Sequence, residues 1–128
     1  DLFDHNGAIV PWNNSMMLQS NGFLDAYRQK YPDPVKNPGF TWPAYNTDVE
    51  LSKLLWAKEA DERDRIDFIY YFPDKKIRLK DVVIVGPVGS IVKGKGVETN
   101  LDQDRFLKPN TVWPSDHKGV LATLTIGK

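Results

Sequence analysis

The stretch DRIDFIYYFPDKKIRLKDVVIV, residues 64–85, decides how this chain is read. From Arg65 to Phe72, Ile66, Phe68, Tyr70 and Phe72 fall to one side and Arg65, Asp67, Ile69 and Tyr71 to the other. That two-residue period predicts a strand. Asp74-Lys75-Lys76 turns the chain, and Ile77 to Val85 reads as a second strand ended by Gly86-Pro87.

Working toward the carboxy terminus, Gly89 to Pro109 reads as a polar loop, and Gly119 to Ile126 as a last strand. Upstream, Met16-Met17-Leu18 predicts one or two helical turns closed by Asn21-Gly22. Phe23, Leu24, Tyr27 and Tyr31 recur at helical spacing, so a second helix is expected over Phe23 to Tyr31, where Pro32 stops it. Phe40-Thr41-Trp42 is a short β-prone piece cut off by Pro43, and Thr47 to Asp64 reads as an exposed, irregular insertion with one helical turn. Helices first and strands later predict an α+β or mixed α/β class.

The chain has 128 residues, and its 41% hydrophobic content suffices for one compact domain spanning 1–128. Lys and Arg number 17, as do Asp and Glu, which argues against a nucleic-acid binder that relies on net basicity. With no Cys, disulfides, Cys-ligated zinc and thiol nucleophiles are excluded. The compartment stays open. No transmembrane segment is expected, because Gly86, Pro87 and Gly89 interrupt the most apolar stretch, Val82 to Val92. The first residue is Asp1, not Met, which suggests a processed chain or a segment of a longer protein.

Two features carry chemistry. Asp67 is a carboxylate amid Ile, Phe and Tyr, and an ionised group there needs a cation or several donors. Its plain explanation is an ion pair with Arg65, two residues away. Ser115-Asp116-His117 precedes the last strand, and the only other His is His5. Its plain explanation is a turn capped by Ser115 or Asp116 with a solvated ring. Taken together, Asp67 can accept the Nδ1–H of His117 and fix its tautomer, leaving Asp116 to approach a cation or a water. A hard oxygen ligand beside such a pair fits Mg²⁺ or Mn²⁺ better than zinc. The constellation suits phosphoester hydrolysis but is incomplete.

Asp64-Arg65-Ile66-Asp67-Phe68-Ile69-Tyr70, followed by Ser115-Asp116-His117-Lys118-Gly119-Val120, resembles the two closing motifs of the endonuclease/exonuclease/phosphatase superfamily, the DNase I-like hydrolases. Gly22-Phe23-Leu24-Asp25-Ala26-Tyr27-Arg28 and Gly39-Phe40-Thr41-Trp42-Pro43 resemble the helix and the Thr-Trp segment that precede them. The resemblance implies that His117 contacts the scissile phosphate, that Asp67 orients it, and that Asp116 lies near the metal or the attacking water. It sets Trp42 at the substrate rim, although a core or strand-end role for that residue fits equally well. The cofactor implied is Mg²⁺ or Mn²⁺ in the complete protein, with Asp116 as its one possible ligand here. The fold implied is a mostly antiparallel sheet with helices on one face, half of a four-layered α/β sandwich.

The family's earlier motifs, with their metal-binding Glu and Gly-Asp-x-Asn segment, are missing; Asp4-His5-Asn6-Gly7 is the nearest text and its order is wrong. The chain therefore reads as the carboxy-terminal half, inactive by itself, with an apolar sheet face that would self-associate or pack on the missing amino-terminal half. Lys93, Lys95 and Lys108 are offset by Glu98, Asp102 and Asp104, which suggests a solvated loop first and a substrate-selecting edge second. The acidic stretch Glu59 to Asp64 slightly favours a small phosphoester or headgroup over a long polyanion. The competing expectation is a non-catalytic binding or scaffold domain that keeps the fold.

Overall fold

A computed structural model describes residues 12–54, 63–98 and 103–127. The elements run α1 (Asn13–Ser20), β1 (Leu24–Asp25), α2 (Ala26–Lys30), α3 (Leu51–Leu54), β2 (Tyr70–Tyr71), β3 (Ile77–Val85), β4 (Ser90–Val92), β5 (Lys95–Val97), β6 (Phe106–Leu107) and β7 (Gly119–Ile126). The class is mixed α and β with mostly antiparallel pairing. No helix among the described residues is long and apolar enough to cross a membrane.

The centre is a three-stranded sheet ordered β6-β3-β7, in which β3 pairs antiparallel with β7 and parallel with β6. Both long strands have the bounds that their apolar periodicity predicts. Val82 and Ile84 point to one face of β3 and are buried beneath Tyr27 of α2, with Tyr31, Phe106, Val120 and Ala122 packed around them. Each such buried side chain contributes about 1.5–3 kcal/mol. The same alternation and register send Val83, Val85, Leu107 and Leu121 to the opposite face. Leu107 and Leu121 are half exposed there.

The second helix is shorter than its spacing predicts. Leu24 and Asp25 are extended and pair with Tyr71 and Tyr70, and the helix begins only at Ala26. Asp25 is its N-cap, accepting from Tyr27 N at 2.9 Å and Arg28 N at 3.4 Å. The cap satisfies amides that a helix continuing through Phe23 would have bonded internally.

The strand expected over Arg65 to Phe72 is confined to Tyr70–Tyr71. The amides of Ile66 and Asp67 go to the Thr41 hydroxyl oxygen rather than to a neighbouring strand, and Ile69 O accepts from Ala26 N. The alternation does not sort burial either: Ile66 and Phe72 are exposed, while Arg65 is buried.

The polar loop over Gly89 to Pro109 holds three short strands that its composition hides. Ser90–Val92 and Lys95–Val97 form a hairpin, and β6 follows. Lys93 and Gly94 form its two-residue turn with φ of 49° and 69°, the mirror-image geometry that matches strand twist. Asp104 is no solvated offset to the lysines, since it accepts from Tyr27 Oη at 2.5 Å and Gly39 N at 2.7 Å. Burial, reinforced by that carboxylate, pushes the Tyr27 phenol well above its usual value. In the expected exposed insertion, Leu54 and Asp64 are buried. Asp4 to Gly7, residues 55–62 and Asp102 lie outside the described residues.

Candidate functional site

The site is built on two irregular segments, and its geometry depends on what holds each. The first, Asp64 to Phe68, is anchored by Arg65. Its guanidinium lies 2.7 Å from the Asp25 carboxylate and stacks over the Phe68 ring at 4.5 Å. The plain pairing of Arg65 with Asp67 is therefore not the one formed.

The second segment, Trp113 to Lys118, is fixed largely through its backbone. Ser115 Oγ accepts from His117 N at 3.0 Å, and Trp113 Nε1 donates to His117 O at 2.6 Å. Asn46, itself buried, donates from Nδ2 to Trp113 O at 2.5 Å. Lys118 runs inward, 2% exposed, donating to Val88 O at 3.0 Å and Ser90 Oγ at 2.9 Å, with its ammonium 5.1 Å from the centre of the Phe106 ring. Those partners satisfy the ammonium far from open solvent.

The segments meet at one contact. His117 Nδ1 and Asp67 Oδ2 are 2.9 Å apart, across 50 residues of sequence. The two side chains are 38% and 37% exposed, so the pair is neither sealed in the core nor fully solvated. With the carboxylate ionised, Nδ1 is the donor, and a neutral ring then carries its lone pair on Nε2. A ring held this way can exchange a proton or present positive charge through Nε2.

Between the two segments runs Thr41 to Ala44. Thr41 N and Trp42 N both donate to Asp64 O, at 2.8 and 3.0 Å. Thr41 O accepts from Lys118 N at 2.6 Å, and Ala44 N donates to Asp116 O at 2.7 Å. Thr41 is fully buried, and its Oγ1 accepts from Ile66 N and Asp67 N, both at 3.1 Å.

An open cavity of about 820 Å³ borders Asp67, walled by Trp12, Asn13, Ser15, Phe68 and Tyr70. Ser15 and Tyr70 join their hydroxyls along its wall. A smaller cavity of about 290 Å³ lies against Tyr45, Asn46, Val88, Lys108 and Trp113. Trp42 is half-buried and borders neither of these two cavities. Asp116 is partly exposed and held by its backbone carbonyl. Among the described residues no three His, Cys, Asp or Glu side chains converge on a point where a cation would sit. These residues therefore do not make a Mg²⁺ or Mn²⁺ site by themselves.

Reading the residues brings out Asp67, Asp116 and His117 but passes over the parts that hold them. Asp25 carries a legible signal, an N-cap residue directly before Ala26. Thr41 has only a weak one, a hydroxyl inside an apolar β-prone piece. Lys118 and Asn46 have none.

No family model matches the chain. An uncharacterized protein of Caenorhabditis elegans is 31% identical over 68 residues, which cover 52% of this chain. The match spans only 20% of that protein's length. No solved structure matches.

Proposed function

We propose that this chain supplies the histidine–aspartate arm of a metal-dependent phosphoester hydrolase of the endonuclease/exonuclease/phosphatase type, as the carboxy-terminal half of its domain. The observation that carries this reading is the 2.9 Å contact between His117 Nδ1 and Asp67 Oδ2. In it Asp67 fixes the tautomer and orientation of the ring and offsets its charge when it takes a proton. His117 then hydrogen-bonds the reacting phosphate through Nε2, giving a proton to the leaving oxygen or taking one from the attacking water. Asp116 is the acidic neighbour beside the attacking water.

The sheet supports the half-sandwich reading. One face is covered by α2, while Val83, Val85, Leu107 and Leu121 form an apolar patch across three strands on the other. A second sheet packed on that patch completes the four-layered arrangement. The reacting side chains sit at the ends of elements and in loops, where such folds put their chemistry.

The test is hydrolysis of a panel of phosphodiesters and phosphomonoesters in Mg²⁺ buffer by the complete protein, this chain together with the amino-terminal half, and by its His117→Ala variant. The reading expects turnover to fall by about 10²–10⁴-fold in the variant. Equal rates in both contradict the role of His117. No hydrolysis by either complete protein, with both folded, favours a non-catalytic binding domain.

A further inference from the structure

We infer that Thr41 is the positioning residue that sets the geometry of the Asp67–His117 pair, an inference that rests on reading that pair as the reacting centre. Asp67 lies on a stretch without a strand neighbour, so its carboxylate is only as well placed as the backbone beneath it. That backbone is held by one side-chain atom, Thr41 Oγ1, which accepts from Ile66 N and Asp67 N at 3.1 Å each. The carbonyl of the same residue accepts from Lys118 N at 2.6 Å, directly after His117. Ala44 N, three residues on, donates to Asp116 O at 2.7 Å, so the residues on both sides of His117 are tied to this one segment.

One fully buried residue thus links two segments that sequence keeps 50 residues apart. Two of these ties are backbone to backbone and survive any substitution that keeps the chain path. The bonds to Oγ1 do not. Without them two partly buried amides lose their acceptor, and the Ile66–Asp67 backbone shifts toward others. A hydrogen bond tolerates only a few tenths of an ångström of such movement, and misplacement by about 1 Å can lower a rate as much as 10²-fold.

The readout is the His117 ring itself, by proton and nitrogen NMR of ¹⁵N-histidine-labelled protein. The protein and Thr41→Ser should show a downfield, slowly exchanging Nδ1–H proton and the tautomer with its lone pair on Nε2. Thr41→Val should lose that proton and mix the tautomers while keeping dispersed methyl signals from the core. In the phosphoester assay of the complete protein it should lower kcat about 10–100-fold with KM changed less than about twofold. Should Val prevent folding, Thr41→Cys takes its place, since its sulfur is a weak acceptor of similar size. Asp67→Asn separates the two levels of the claim. If Asp67→Asn loses the signal but Thr41→Val or Thr41→Cys keeps both signal and kcat, the inference falls and the pair stands. If Asp67→Asn leaves the signal unchanged, the pair itself falls and the inference with it.

Discussion

The Arg65 guanidinium and the Asp25 carboxylate, 2.7 Å apart and 9% and 4% exposed, form a buried ion pair that leaves Asp67 to His117. Asp25 also caps α2, so the pair connects the helix over the sheet to the segment carrying Asp67. Removing one partner of such a pair strands a charge in the interior, which is far more damaging than replacing both.

Arg65→Met should therefore destabilise the fold by about 3–5 kcal/mol. The double variant Asp25→Asn/Arg65→Met should lose less than the sum of the two single changes. Urea unfolding of the four proteins measures both quantities, and additive losses would show that the two groups do not interact.

Gly39 has a φ of 74°, and a Cβ built there would lie 2.5 Å from Tyr27 Cε1 and 2.9 Å from Arg65 Cδ. Gly39→Ala thus meets both a left-handed backbone and a rigid ring. Its expected loss is about 2–5 kcal/mol, read as a lower urea midpoint with an unchanged slope.

Asp81 supplies a pH dependence. Its carboxyl is held below the ordinary 3.8, first by the Val82 amide and then by Arg105 and Lys30. Because the folded state favours the ionised form, this stabilisation is present above about pH 4 and is lost as pH falls through the lower folded value. Urea midpoints should therefore drop as pH falls below about 4, and Asp81→Asn should flatten part of that drop. A curve identical to that of the unaltered protein would contradict the assignment.

What could be read from the residues depended on whether the deciding partner was local. Ile77–Val85 and Gly119–Ile126 have long runs of apolar alternation or content, and the turn or Gly beside each marks its bounds. Arg65 to Phe72 alternates just as well, yet periodicity says nothing of where amides go, and Thr41 takes those of Ile66 and Asp67. Helical spacing through Phe23 and Leu24 hid the capping role of Asp25, although an Asp before Ala26 was there to be read. The hairpin around Lys93-Gly94 was hidden because Lys takes a turn position where Asn or Gly is usual. The contact of Asp67 with His117 follows from the chemistry of two groups that each need a partner and from the resemblance of the motifs that carry them. No local rule reports a neighbour 50 residues away.

The most direct measurement is a double-mutant cycle on turnover of the complete protein with His117→Ala, Asp67→Asn and both together. Residues that act as one unit lose their effect once, so the double variant should be no slower than His117→Ala alone. If Asp67→Asn slows His117→Ala by the same factor by which it slows the unaltered protein, the two side chains act independently, and the pair is not the reacting centre.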